Sequence, residues 1–208
     1  ISNRQQDKAE INQSNLSIIR KEPANEHSPL GREVQSLRFF TKGGLLMTNI
    51  PDFLPPILDL RGTWEEILER LYAAFSRDFK KGAVHHRGMR IIYDNRVLPD
   101  GHDKEEGFWH VVSRKDRESG ERLPDYRRAE RLPWARPTME SLERSEIKVF
   151  DYDHGAKDIG VRHYIWLAEY DYVLILQKKK KALFWVTAYY VDSEWGRKDL
   201  LRRYEKRL

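Results

Sequence analysis

An α+β domain is what this sequence predicts, and three observations carry the prediction. A helical repeat of apolar residues opens the orderly part of the chain at 63–80, and four β-rich runs separated by hairpin-length turns fill 147–191. A basic helix introduced by Ser193 closes it. Short strands joined by tight turns pair antiparallel. The expected architecture is therefore a C-terminal antiparallel sheet of about four strands, with an N-terminal helix and short helices packed mainly on one face. At 208 residues the chain has room for one well-packed domain and an appendage.

The appendage is the first stretch. Residues 1–46 start at Ile1, are rich in Asn, Gln and Ser, and run through Glu-Pro, Ser-Pro and Gly-Gly breakers. Met47 has the character of a translation start. Residues 1–46 are accordingly expected to be a flexible extension or upstream read-through, and 47–208 a single domain. An ordinary arm packed on the domain is the alternative.

Thr63-Trp64-Glu65-Glu66 has the form of a capping box, in which the hydroxyl and the Glu66 carboxylate each serve a free backbone N–H. Trp64, Ile67, Leu68, Leu71, Tyr72 and Phe75 follow at helical spacing, and Gly82 ends the helix. Residues 89–93 and 96–98 flank Asp94-Asn95, which suits a two-residue hairpin. The run 108–113 reads as a buried strand. Pro124 fits the first turn of a short helix, Pro133 breaks it, and 134–142 forms a second helical piece. The four strands follow at 147–153, 162–170, 172–177 and 183–191, with a tight turn at Asp171 and a lysine-rich hairpin at 178–181. Ser193 caps a helix over 194–206.

Lys and Arg number 38 against 33 Asp and Glu, a net charge of +5. That balance favours an acidic partner such as nucleic acid. The chain has no cysteine, which removes disulfides, cysteine zinc sites and thiol nucleophiles together and agrees with a cytoplasmic setting. No apolar run approaches the 18–20 residues, roughly, that a membrane helix needs. Aromatic residues reach 12%, leaving rings free for a binding surface.

Strict alternation along 183–191 puts Phe184, Val186 and Ala188 on a core face and Trp185, Thr187 and Tyr189 on the other. His110, in the run Phe108-Trp109-His110, is the general acid/base candidate, with His163 second. His85 and His86 lie in a Gly-bounded loop and read as surface residues. In Asp125-Tyr126-Arg127-Arg128-Ala129-Glu130-Arg131, helical spacing lets two guanidinium groups share one face and grip a phosphate. Pairing with Asp125, Glu121 or Glu130 on a solvated face is the other reading of those arginines. Asp151, Asp153 and His154 have the residue types of a hard-metal cluster, or are solvated turn residues. Basic residues at 178–181 and 197–207 flank the Trp185 strand, a combination that suits single-stranded nucleic acid.

The order of these features resembles the barnase/EndoU/colicin/RelE-type ribonuclease superfamily, in its toxin and phage-associated branches. The matching parts are the N-terminal helix, Phe108-Trp109-His110, the arginine-rich helix, and the closing sheet ending in Leu183-Phe184-Trp185-Val186-Thr187-Ala188-Tyr189. They span roughly 63–207. The resemblance implies cleavage of RNA without a metal or cofactor, with the ribose 2′-hydroxyl as nucleophile. It implies His110 as general acid or base, Arg128 or Arg131 as phosphate clamp, Thr187 as a donor to the scissile phosphate and Tyr189 as a supporting phenol. Trp185, Arg127, Arg162, His163, Lys178 and Lys179 are then the candidates for holding RNA, and an antitoxin or immunity protein is an implied partner. A second histidine and a catalytic glutamate have no secure counterpart in the motif. A non-catalytic nucleic-acid-binding module and a metal-dependent nuclease on Asp151, Asp153 and His154 are the competing expectations.

Overall fold

The computed structural model describes residues 50–97, 103–116, 118–141 and 143–208. The expectation for 1–46 lies outside the described residues, as does the 98–102 loop. The first element is α1 (Trp64–Phe75), continued by a wider π turn over Ser76–Lys80. The capping box forms as the sequence predicts: the Thr63 hydroxyl accepts from the Glu66 N–H, and Glu66 accepts from the Thr63 N–H at 3.0 Å. Gly62 makes this reach-back possible. Its φ is +115°, and a Cβ there would sit 2.2 Å from Glu66 Oε2.

Two short strands follow, β1 (His85–His86) and β2 (Met89–Ile92), then α2 (Glu106–Val112). The small hairpin β3 (Ser113–Lys115) and β4 (Arg122–Pro124) leads to α3 (Tyr126–Ala129), capped by the Asp125 carboxylate. A 3-10 turn at Leu132–Trp134 leads into α4 (Ala135–Glu140). Four long strands come next, β5 (Ile147–Asp153), β6 (Val161–Leu167), β7 (Tyr172–Lys178) and β8 (Ala182–Tyr190). The chain closes with α5 (Glu194–Glu205), capped by Ser193.

The six-stranded sheet runs β1-β2-β8-β7-β6-β5. The four strands read from the sequence pair antiparallel, but β2 joins β8 in parallel, with Ile91 opposite Leu183. The sheet is therefore mixed and larger than expected. The Asp94-Asn95 hairpin does not form. Instead the Gly107 N–H donates to the Asp94 carbonyl and the Glu106 N–H to the Arg96 carbonyl, so this segment clamps the start of α2.

Alternation on β6 explains the two cores. Ile165 and Leu167 face a large cluster with Leu71, Phe75, Phe108, Trp134 and Met139, while Tyr164 and Trp166 face a smaller one with Phe150, Val173 and Leu200. Leu200 and Tyr204 bring α5 onto the second face. The other helices contribute to the larger core and α5 alone covers the second face, so helices lie mainly on one face as expected while both faces are covered, which is why β6 and β7 are apolar almost throughout.

The largest departure is at 108–113. Phe108-Trp109-His110 is helical, not extended. Phe108, Val111 and Val112 are buried at helical spacing, and Phe108 packs edge-on to Tyr72 and Phe75 at 5.2 and 5.5 Å between ring centroids. β-Branched and aromatic residues favour strands only where a pleated surface receives them. Here α1 offers a ring cluster, and tertiary packing overrides propensity. Pro124 likewise ends β4 instead of opening α3, because Asp125 takes the capping position.

Candidate active site

One turn of α2 separates Glu106 from His110 and puts both side chains on one face. His110 Nε2 lies 3.0 Å from Glu106 Oε1. Arg122 reaches over from β4, and its Nη2 stands 2.7 Å from the same carboxylate oxygen and 2.9 Å from the same ring nitrogen. The imidazole side chain is 44% exposed, against 15% for Glu106 and 29% for Arg122. The ring is thus held from beneath and open above.

An arginine N–H only donates and a carboxylate only accepts. Nε2 therefore has a partner for each of its states: protonated, it donates to Glu106; bare, it accepts from Arg122. Burial first, and then the Arg122 charge, push His110 below the ordinary imidazole value, against the pull of Glu106. The ring is therefore neutral at neutral pH, and its Nδ1–H tautomer leaves Nε2 bare to accept from Arg122.

Arg128 and Thr187 meet at the main chain of this helix. Arg128 Nη1 donates to the carbonyls of His110 at 3.1 Å and Ser113 at 2.8 Å, and to Thr187 Oγ1 at 3.3 Å. The Thr187 hydroxyl lies 3.3 Å from the His110 carbonyl. A cation on the last carbonyls of a helix is favourable. The pair pins the C-terminal end of α2 to β8, and the Arg128 guanidinium is engaged by these groups and by Asp125, whose Oδ2 lies 3.6 Å from its Nε.

The remaining arginines are corrected more strongly. Arg131 is fully buried, 4.2 Å above the Tyr190 ring, bonded to the Arg127 carbonyl and paired with Glu130. It has no face to offer a phosphate. Arg127 also lies against the Tyr190 ring, 5.4 Å from its centroid. α3 is one turn long, so the shared guanidinium face expected from the spacing does not arise.

The alternation along β8 breaks as well. Leu176 opposes Trp185 and Ile175 opposes Thr187, which leaves Val186 as an extra residue in a bulge. Trp185 therefore joins Leu183 and Ala188 in the larger core. Its ring packs on Phe79 at 4.6 Å and its Nε1 donates to the Thr187 carbonyl. It is 3% exposed and cannot stack a base. Tyr189 packs against the second core, where burial pushes its phenol up.

His86 and His163 form a separate group. His86 is buried at the end of β1, not on the surface, while His85 is exposed. Its Nε2 lies 2.9 Å from His163 Nε2, and His163 Nδ1 lies 2.6 Å from Asp151 Oδ1. Lys178 holds the other Asp151 oxygen at 2.7 Å. His163 is thus a core residue rather than a surface contact. Lys179 extends over the Phe184 ring, and Arg162 sits opposite Tyr152 in the β5–β6 ladder.

The expected metal cluster does not assemble. Asp151 is committed to His163 and Lys178, Asp153 accepts from the Gly155 N–H, and His154 Nε2 bonds the Tyr164 hydroxyl. Among the described residues no three His, Cys, Asp or Glu side chains are grouped to hold a metal ion.

Sequence reasoning missed Glu106 and Arg122. The four-residue step from Glu106 to His110 was a usable signal once the segment is taken as helical. Arg122 had none, because a hairpin delivers it. No family model, curated protein or solved structure matches the chain. No helix among the described residues is long and apolar enough to cross a membrane.

Proposed function

We propose that this protein is a metal-independent endoribonuclease of toxin or phage-conflict type. It cleaves RNA by attack of a ribose 2′-hydroxyl on the adjacent phosphate. The observation that supports this reading is the Glu106–His110–Arg122 cluster, in which one nitrogen of a partly exposed ring has both an acceptor and a donor within 3.0 Å. Neutral His110 takes the 2′-hydroxyl proton as the 2′-oxygen bonds to phosphorus. The protonated Nε2 then turns to Glu106, which frees an Arg122 N–H for the phosphate oxygen whose charge grows. The phosphorus–5′-oxygen bond breaks, the leaving oxygen takes the proton back from the ring, and a 2′,3′-cyclic phosphate remains. Arg128 and Thr187 act on the main chain of α2 as positioning residues. RNA is the substrate, the cytoplasm the setting, and an antitoxin or immunity protein the partner this reading implies.

Incubation of the purified protein with RNA in excess chelator tests the proposal. Cleavage to cyclic phosphate ends is expected, and His110→Ala is expected to slow it by about 10²–10⁴-fold. Full activity in that variant, or cleavage only after metal is added, would overturn it. Binding without cleavage would favour a nucleic-acid-binding module instead. That reading has its own observation in Trp195, 78% exposed on the basic helix α5.

A further inference from the structure

His86 and His163 are buried to 1% and 4% exposure and take no part in the chemistry proposed above. They stand in a row of three close contacts. His86 Nδ1 is 2.7 Å from the Met139 carbonyl at the end of α4. The two Nε2 atoms are 2.9 Å apart, and His163 Nδ1 is 2.6 Å from Asp151 Oδ1. Each contact needs one proton between its two heavy atoms. The carbonyl at one end only accepts, and so does the carboxylate at the other. Burial opposes the charge on Asp151, but hydrogen bonds from Lys178 and His163 hold the carboxyl below its usual range.

Two neutral imidazoles bring two protons to three contacts. Whichever tautomers are chosen, two lone pairs face each other somewhere along the row. One more proton satisfies every contact. The 2.9 Å separation suits an N–H···N bond. Two nitrogens on a tetrahedral zinc, each at 2.0–2.1 Å, would stand about 3.3 Å apart.

We infer that His86 and His163 form a one-proton site, in which a single shared proton lies between the two Nε2 atoms and is neutralised by Asp151. The row of contacts joins β1 and α4 to the β5–β6 side of the sheet. β2, β8 and β7 lie between β1 and β6 in the sheet order, so this link closes a curl that the strand ladder does not close. The charged groups that face the pair are Arg87 from the turn after β1, Lys178 from β7 and Asp151 from β5, while α4 contributes the Met139 carbonyl. Burial and Arg87 hold both rings below the ordinary imidazole value, with Lys178 adding to this for His163, so uptake belongs to acid pH.

Long-range proton–nitrogen NMR on the full chain with ¹⁵N-labelled histidine, titrated from pH 8 to 4, tests the inference. The expected result is one step, below about pH 6.5, in which both Nε2 signals shift together as a single proton is bound. The buried rings take up protons less readily than exposed ones, so the protection factor of the Ile91 amide, which donates to the Val84 carbonyl beside β1, falls over the same step. His86→Gln removes the joint step from His163 and flattens the fall at Ile91. If that variant does not fold, the wild-type titration decides alone. Two independent one-proton steps, Nε2 atoms that stay bare to pH 4, or a joint shift produced by stoichiometric Zn²⁺ in place of acid would each overturn it.

Discussion

His110 works through a single nitrogen with two partners, and this balance is measurable. Burial and Arg122 depress its titration while Glu106 raises it. Glu106→Gln removes the opposing charge, so the ring is expected to titrate at lower pH than in the wild type. The acid limb of the cleavage profile should move with it. Imidazole NMR checks the first part, and an unmoved His110 titration would separate the two side chains. His110 itself was legible in the sequence as an acid/base candidate. Its partners were hidden for different reasons: Glu106 because it falls in a charged loop ahead of the run that reads as a strand, and Arg122 because only the β3–β4 hairpin brings it near. Arg131 shows the converse. Its spacing suited a phosphate clamp, yet Tyr190, Trp134 and Glu130 enclose it.

At the scale of elements, capping is the feature most faithfully written in local sequence. Thr63→Ala removes the acceptor for the Glu66 N–H and is expected to cost about 1 kcal/mol. A lowered urea midpoint with an unchanged slope would show it. α2 is the opposite case, since Phe-Trp-His-Val-Val has strand-like composition and the rings of α1 decide its conformation. Its C-terminal end depends on Arg128. Arg128→Met leaves the His110 and Ser113 carbonyls without that donor and is expected to destabilise the fold by about 1–3 kcal/mol. It should also lower cleavage by misplacing His110 while leaving a His110 imidazole that still titrates. Retention of both stability and activity would remove the positioning role. The Val186 bulge is a third element-level feature that no pattern announces: one extra residue turns Trp185 from a surface ring into core.

For the molecule as a whole, the buried histidines set the response to acid. Burial pushes His86 down to about 4 and lowers His163 as well, so the unfolded chain binds these protons more readily than the native one. Their contribution is complete above the unfolded value of about 6.5 and is lost as pH falls toward the folded value. Urea unfolding at stepped pH is expected to show a midpoint that drops across that window, and a flatter dependence in His86→Gln. A midpoint independent of pH over the window would contradict it. Local sequence by itself determined the α+β class, α1 with its cap, the strands β5 to β8 and the closing basic helix, because hydrophobic period, turn residues and caps act over a few neighbouring positions. The tertiary structure alone decided that α2 is helical, that β2 joins β8 in parallel and that α5 covers the second face. It also brought Glu106, His110 and Arg122 together and set His86 against His163. Those outcomes depend on which distant surface a segment packs against, and that energy is not contained in any short stretch of the chain.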